Sequence, residues 1–460
     1  MTLLAICAMS EPPTPRRSRK SLLLKGAVFS VIVLGGIWWA GLLGIWPRHQ
    51  AEQAIKSHRL DSAEQSIRQA IHIEGRTAEN LFLLARVLRK QGAMDEFQSS
   101  LKQAYDLGID RKRIEAELLL AQAQAGQIQP IQQQLDDLLI HGGTDDEEVL
   151  EAYVNGCLVA ARLGQAETLI DGWVRAMPET AQPYYYRGRL MLFYRKMTQA
   201  REALTKALEI EPQHCAAAYA LGTVLVEENR LDDALQMFQL ASQTRYNAAA
   251  RVQVAKTLVD LARSDEAREI LKQVLQEPED DVRRGFQRLG ERYEGNPAAL
   301  VLGDLCMNAG DYQQAYQWLQ QAVAANPGDL TARHSLGLVL RGIGETEAAA
   351  AELKAVSEAR EALQEVDRLV DLVSTNQELV AERVRVGELY LKYESKLTGE
   401  YWLKSALTRD PENQRAHELL AEYYAEKART DPRYDEQARH HRTMAGVDGE
   451  PPRPPQSKAE

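Results

Sequence analysis

The chain has 460 residues, 45% of them hydrophobic and 26% charged, and a net charge of −11. That length can bury a large core, and the acidic balance argues against nucleic-acid binding, because phosphate recognition needs a basic footprint and the main basic cluster here is N-terminal. The four cysteines, Cys7, Cys157, Cys215 and Cys306, form no C-x-x-C pair and no zinc spacing with histidine, so neither a disulfide framework nor a metal site is expected. Cys157 and Cys306 fall where a small apolar residue is wanted and are expected as buried thiols.

Residues 1–20 form a basic N-terminal tail with Arg16, Arg17, Arg19 and Lys20, although Met9 offers an alternative start. The run from Gly26 to Trp46 is uncharged and apolar. At about 1.5 Å per helical residue it reaches roughly 30 Å, the thickness of a hydrocarbon core, so residues 21–46 are expected as a transmembrane signal anchor. A cleavable signal peptide fits less well, because no small-x-small site follows Trp46. The positive-inside rule places the N-terminus in the cytoplasm and everything after Pro47 on the periplasmic or extracytoplasmic side of the inner or plasma membrane. Gly36, Ala40 and Gly44 share one helix face, which raises the possibility of a homodimer through that face.

From 47 to 443 a spacing of small and large residues recurs. It begins at Ala63, Ile67 and Ala70 and continues at Leu84, Ala85, Gly92, Leu101 and Ala104. Further units read around Leu120 and Ala121, and around Gly156 and Trp173. In the middle the register is clear: Gly188, Ala200, Leu204 and Ala207 return 34 residues later as Gly222, Ala234, Phe238 and Ala241. Units follow over Val254 to Val274, at Leu302, Gly303, Gly310 and Ala315, at Leu336, Gly337, Gly344 and Ala349, and from Gly387 to Pro411. Pro212, Pro327 and Pro411 stand where second helices must stop.

These residues resemble the tetratricopeptide repeat family, whose 34-residue unit carries W-x2-L-G-x2-Y, then A-x3-F, A and P. The resemblance covers most of the chain and implies an all-α fold: a right-handed tetratricopeptide-type α-solenoid of about eight to ten hairpins, here preceded by the single transmembrane helix. Two stretches depart from the period. The interval from Ala267 to Ala315 is 48 residues, so an acidic-capped helix is expected to be inserted near 278–295. Near 357–380 the second helix overruns, and Val356, Ala359, Leu363, Val366, Val370 and Val373 form a heptad stripe that covers a neighbouring hairpin or meets another chain. Residues 444–460 are proline-rich and polar and are expected to be disordered.

No P-loop, G-x-G-x-x-G, G-x-S-x-G or EF-hand loop occurs, and "HELLA" at His417 lacks the second histidine of a zinc-protease helix. An enzyme is not expected, nor any cofactor, catalytic residue or metal. The acidic runs Asp145 to Glu148 and Glu279 to Asp281 place carboxylates at helix N-termini. What the resemblance implies instead is a surface lined by first-helix side chains, at Tyr185, Arg189 and Phe193, then Tyr219 and Thr223, then Asp304 and His334. "YYYRGRLMLFYR" is rich in the tyrosine and arginine that dominate binding hot spots. The expected function is a membrane-anchored scaffold or adaptor for a protein or peptide partner in envelope or secretion complex assembly. The alternative is a cytoplasmic-facing regulatory or accessory subunit of a membrane complex.

Overall fold

The computed structural model describes residues 42–141, 146–160, 162–291, 293–376, 378–393 and 395–446. Within them the secondary structure is helical, with no strand. In chain order the first helices are α1 (Leu42–Lys56), α2 (Leu60–Glu74), α3 (Ala78–Lys90), α4 (Met94–Asp106), α5 (Arg111–Gln124), α6 (Gln132–His141), α7 (Asp146–Val159) and α8 (Leu163–Ala176). They continue as α9 (Gln182–Phe193), α10 (Met197–Ile210), α11 (Cys215–Glu227), α12 (Leu231–Ala241), α13 (Ala248–Asp260), α14 (Ser264–Leu275), α15 (Glu279–Arg288) and α16 (Pro297–Asn308). The last are α17 (Tyr312–Ala325), α18 (Leu330–Gly342), α19 (Thr346–Thr375), α20 (Val380–Tyr393), α21 (Lys396–Arg409), α22 (Gln414–Ala428) and α23 (Asp435–Met444). The chain divides into two compact units between Ala217 and Ala218, within α11, where the sequence had suggested one array over 47–443.

Polar side chains start many of these helices. Thr77, Asn296, Asp311, Asp329, Ser395 and Asn413 each accept a hydrogen bond from a backbone N–H two or three residues on, satisfying a donor that the helix leaves free. Pairs then close as antiparallel hairpins, among them α3 with α4, α9 with α10 and α16 with α17. In the turns one residue takes the left-handed conformation: Gly92 (φ 78°), Gly310 (79°) and Gly344 (93°) do so without strain, while His58 (52°), Arg195 (54°), Asn229 (59°) and Ala262 (59°) do so as L-residues.

Inside the hairpins the small residues act as the repeat requires. A Cβ on Gly188 would stand 2.5 Å from Leu204 Cγ, one on Gly222 2.6 Å from Phe238 Cε1, and one on Gly303 2.6 Å from Leu319 Cγ. Gly337 meets Leu353 and Gly387 meets Leu403 in the same way, sixteen residues on in every case. At the corresponding positions Ala85 and Ala255 are fully buried, and Leu101 and Leu271 follow sixteen later. Gly156 differs: its Cβ would strike the Ala123 carbonyl oxygen at 2.1 Å, so its close approach is to α5, while α7 also packs on α8. The stripe on α19 is covered by the chain itself, with Val366 packed against Val386 and Leu389 of α20.

The location read from the sequence is corrected. No helix among the described residues is long and apolar enough to cross a membrane, which overturns the single-pass anchor and the sidedness drawn from it. The anchor was expected to stop at Trp46 and Pro47, yet α1 runs from Leu42 through both to Lys56. Proline removes one hydrogen bond from a helix, and burial of Ala51, Ala54 and Ile55 in the core shared with α2 offsets that loss. Arg48 fastens the same segment, its Nη2 donating to both carboxylate oxygens of Glu74 at 2.8 and 2.7 Å. The expected tail 1–20, residues 21–41 of the expected span with Gly36 and Ala40, and 447–460 lie outside the described residues, while Gly44 falls in α1.

Candidate functional site

Three of the sequence-derived candidates fall in the first unit, all on α9. Tyr185 is buried, its ring 5.0 Å from that of Tyr186 and 5.1 Å from that of His214. Arg189 donates to Asn155 Oδ1 at 2.8 Å and lies over the rings of Tyr185 and Tyr186. Phe193 is the exposed member, at 52%. Tyr185 is therefore committed to the interior of the repeat, while Arg189 is half-buried with its guanidinium engaged by Asn155. Tyr184, beside them on α9, is half-buried and donates to the Pro178 carbonyl at 3.1 Å.

Beneath them runs a network that the sequence did not disclose. Arg89 is 1% exposed, and its Nε donates to Glu117 at 2.7 Å while its Nη2 donates to Glu148. Arg86 reaches the same two carboxylates, and Lys90 pairs with Glu151. Gln182 donates to Glu151 at 2.7 Å and accepts from His214 Nε2 at 2.7 Å, while His214 Nδ1 accepts the Ala217 N–H. The turn residue His58 closes the cluster, 4.0 Å from Glu147 and 3.9 Å from Glu151.

Burial opposes charge on His58, but Glu151 and Glu147 outweigh it and raise its pKa above the ordinary value. His214, enclosed and beside His58, is pushed down to about 4. Burial also works against the charge on Glu148, yet Arg89, Lys90 and Arg86 hold it down to about 2. A buried network whose charges are paired fixes geometry more than it offers a binding surface. Its residues are scattered from 58 to 214, and no local motif could have marked them.

The other four candidates lie in the second unit. Tyr219 is buried with its ring edge-on to Phe238 at 5.6 Å, and Gln253 Nε2 donates to its hydroxyl at 3.4 Å. Burial and then Glu291 raise its pKa. Thr223 donates back to the Ala220 carbonyl of its own helix at 2.7 Å. Asp304 on α16 and His334 on α18 are both half-buried and electrostatically coupled. Burial raises the Asp304 pKa, a hydrogen bond with Ser335 opposes that, and the buried Oδ1 has no hydrogen-bond partner. An unsatisfied buried carboxylate oxygen costs about 1–3 kcal/mol and is ready to accept a donor.

Among the described residues no group of three or more His, Cys, Asp or Glu is placed to hold a metal ion. Cys157 and Cys306 are both buried, and burial pushes the Cys157 thiol up to about 11.

Tetratricopeptide repeat profiles match residues 195–247, 254–329 and 300–369, the part of the chain where the sixteen-residue packing interval is most regular. The chain carries tetratricopeptide repeats. Arrays of this kind bind protein or peptide partners, and the antiparallel helix pairs closed over a small residue described above are the packing such repeats use. The profiles leave α1 to α9 and α20 to α23 unmatched, so tetratricopeptide character there rests on packing alone. No curated protein matches the sequence.

Among solved structures the chain is similar to the Cut9-Hcn1 hetero-tetramer of the APC/C, at 15% identity over 81% of this chain and 74% of that one, with a TM-score of 0.44. It is also similar to PilW, a type IV pilus biogenesis factor, at 15% identity over 46% and 91% of the two chains, with a TM-score of 0.39. Pseudomonas aeruginosa pilF follows at 16% identity over 45% and 87%, with a TM-score of 0.38. Likenesses this distant carry no function to the present repeats.

Proposed function

We propose that the protein is a non-catalytic scaffold that holds a protein or peptide segment against the repeat faces of its second unit, in the assembly of a multi-protein complex. The observation that carries this reading is the buried, unpartnered Oδ1 of Asp304 beside Ser335 and half-buried His334. A carboxylate in that state favours a partner that presents a backbone N–H or a cationic side chain, since a donor relieves its desolvation. In the first unit Tyr185 and Arg189 are already engaged by Tyr186, His214 and Asn155, which leaves the second unit as the side for a partner.

A photo-crosslinking side chain in place of His334 tests the reading. It is expected to capture one defined partner, and Asp304→Lys is expected to abolish the capture. A captured band that persists unchanged in Asp304→Lys rejects the assignment, and turnover of a substrate by the purified chain rejects its non-catalytic part.

A further inference from the structure

The first described hairpin is attached to the rest of its unit at two places. Along the chain α1 packs on α2, and both meet α3, as neighbouring repeat helices do. The second attachment is the turn between α1 and α2. Its tip residue His58 reaches Glu147 and Glu151 of α7 at 4.0 and 3.9 Å and brings its ring to 6.4 Å from that of His214, which precedes α11.

Turn geometry alone does not produce this second contact. Arg195, Asn229 and Ala262 hold the same left-handed position in their own hairpins, with φ of 54°, 59° and 59°, and all three are exposed. His58, at φ 52°, is turned inward instead, with its side chain 19% exposed. The seat it enters is charged. Glu147 and Glu151 face it from α7, Lys90 from the end of α3, and Glu211 with His214 from the connection between α10 and α11, while Arg59 stands next to it in the turn. Among these groups three carboxylates meet two permanent cations, and a protonated His58 supplies the third positive charge. Behind the seat, Gln182 holds His214 at 2.7 Å, and the His214 ring lies 5.1 Å from that of Tyr185.

We propose that the α1–α2 turn is a pH-gated clasp: with His58 protonated it fastens the first described hairpin to α7 and the α10–α11 connection, and with His58 neutral the turn lets go and uncovers His214 and the Tyr185 ring behind it. The inference concerns the first unit alone and does not rest on the scaffold reading. Burial works against charge on His58, but Glu151 and then Glu147 raise its pKa above the ordinary 6.5. The clasp is therefore closed at and below that pH and opens as pH rises through the folded value. What opens is local, because the packing of α1 on α2 and of both on α3 involves no titrating histidine of the seat.

The test measures the full chain with spin labels on cysteines placed at the exposed positions Ser62 and Gln213, with Cys7 and Cys215 replaced by serine and the buried Cys157 and Cys306 left in place. Electron–electron distance distributions are expected to show one short separation at about pH 6 and a second, longer population at about pH 8.5. His58→Lys keeps its positive charge at both values and is expected to give the short separation throughout, while His58→Gln carries no charge and is expected to show the longer population at both. Circular dichroism confirms that each variant is folded. In the native chain, modification of His214 by diethyl pyrocarbonate, corrected for reagent hydrolysis, is expected to quicken at least threefold between the same two pH values; His214, with its pKa pushed down to about 4 by burial and His58, is neutral at both. A parent distance that does not change with pH overturns the clasp. So does lengthening that persists in His58→Lys, a short separation at both pH values in His58→Gln, or His214 modification that stays level.

Discussion

Gly222 and Gly172 are both helical glycines with opposite roles. A Cβ at Gly222 would lie 2.6 Å from the Phe238 ring, whereas one at Gly172 would meet nothing within 4 Å. Overpacking a filled interface typically costs 1–3 kcal/mol, while replacing glycine by alanine in an open helical position gains about 0.5–1 kcal/mol. Gly222→Ala is therefore expected to lower the urea midpoint and Gly172→Ala to raise it, with unchanged slope; a shift of the same sign in both would contradict the packing account. The motif identified Gly222 because its partner is sixteen residues away on the next helix. The same motif counts residues and does not say which of three consecutive tyrosines faces His214; the structure places Tyr185 there.

The terminal helix α23 is held by a contact that senses pH. His417 Nε2 donates to the Pro411 carbonyl at 2.9 Å, so its Nδ1 is free to accept from His441 Nδ1 at 2.8 Å, and His441 stacks on Tyr424 at 9°. Burial, then His417, His440 and Lys404, lower the His441 pKa to about 4, with Glu400 opposing. A folded pKa below the unfolded value of about 6.5 means that the stabilisation is full above pH 6.5 and is lost as pH falls through about 4. Amide exchange across Asp435–Met444, corrected for intrinsic rates, is expected to lose protection between pH 6.5 and 4, and His441→Phe is expected to remove most of that loss. Protection that stays level in the native chain would refute the contact's role. Adjacent residues on a helix point to different faces, and that His441 is the one to meet His417 is a consequence of how α23 folds back on α22.

Two histidines of the first unit bear on the stability of the molecule from opposite sides of neutrality. His58 has a raised pKa, so its contribution is present below about pH 6.5 and is lost as pH rises through the folded value. His214, lowered to about 4, contributes above pH 6.5 and loses that contribution as pH falls. The urea midpoint is expected to peak near neutrality, with His58→Gln flattening the alkaline side and His214→Asn, which keeps an N-cap for α11, flattening part of the acid side. A midpoint that does not change with pH would remove both histidines from the stability account. The sequence by itself determined the helical class, the 34-residue stride and the small-to-large pairing within each hairpin, because those contacts join residues sixteen apart and recur. Only the tertiary structure decided that α1 joins the array through Arg48 and Glu74, that the first unit encloses a paired-charge network, and that α15 lies against α13. Those contacts join residues from 26 to more than 100 positions apart, once each, and a pattern read along the chain registers only what repeats.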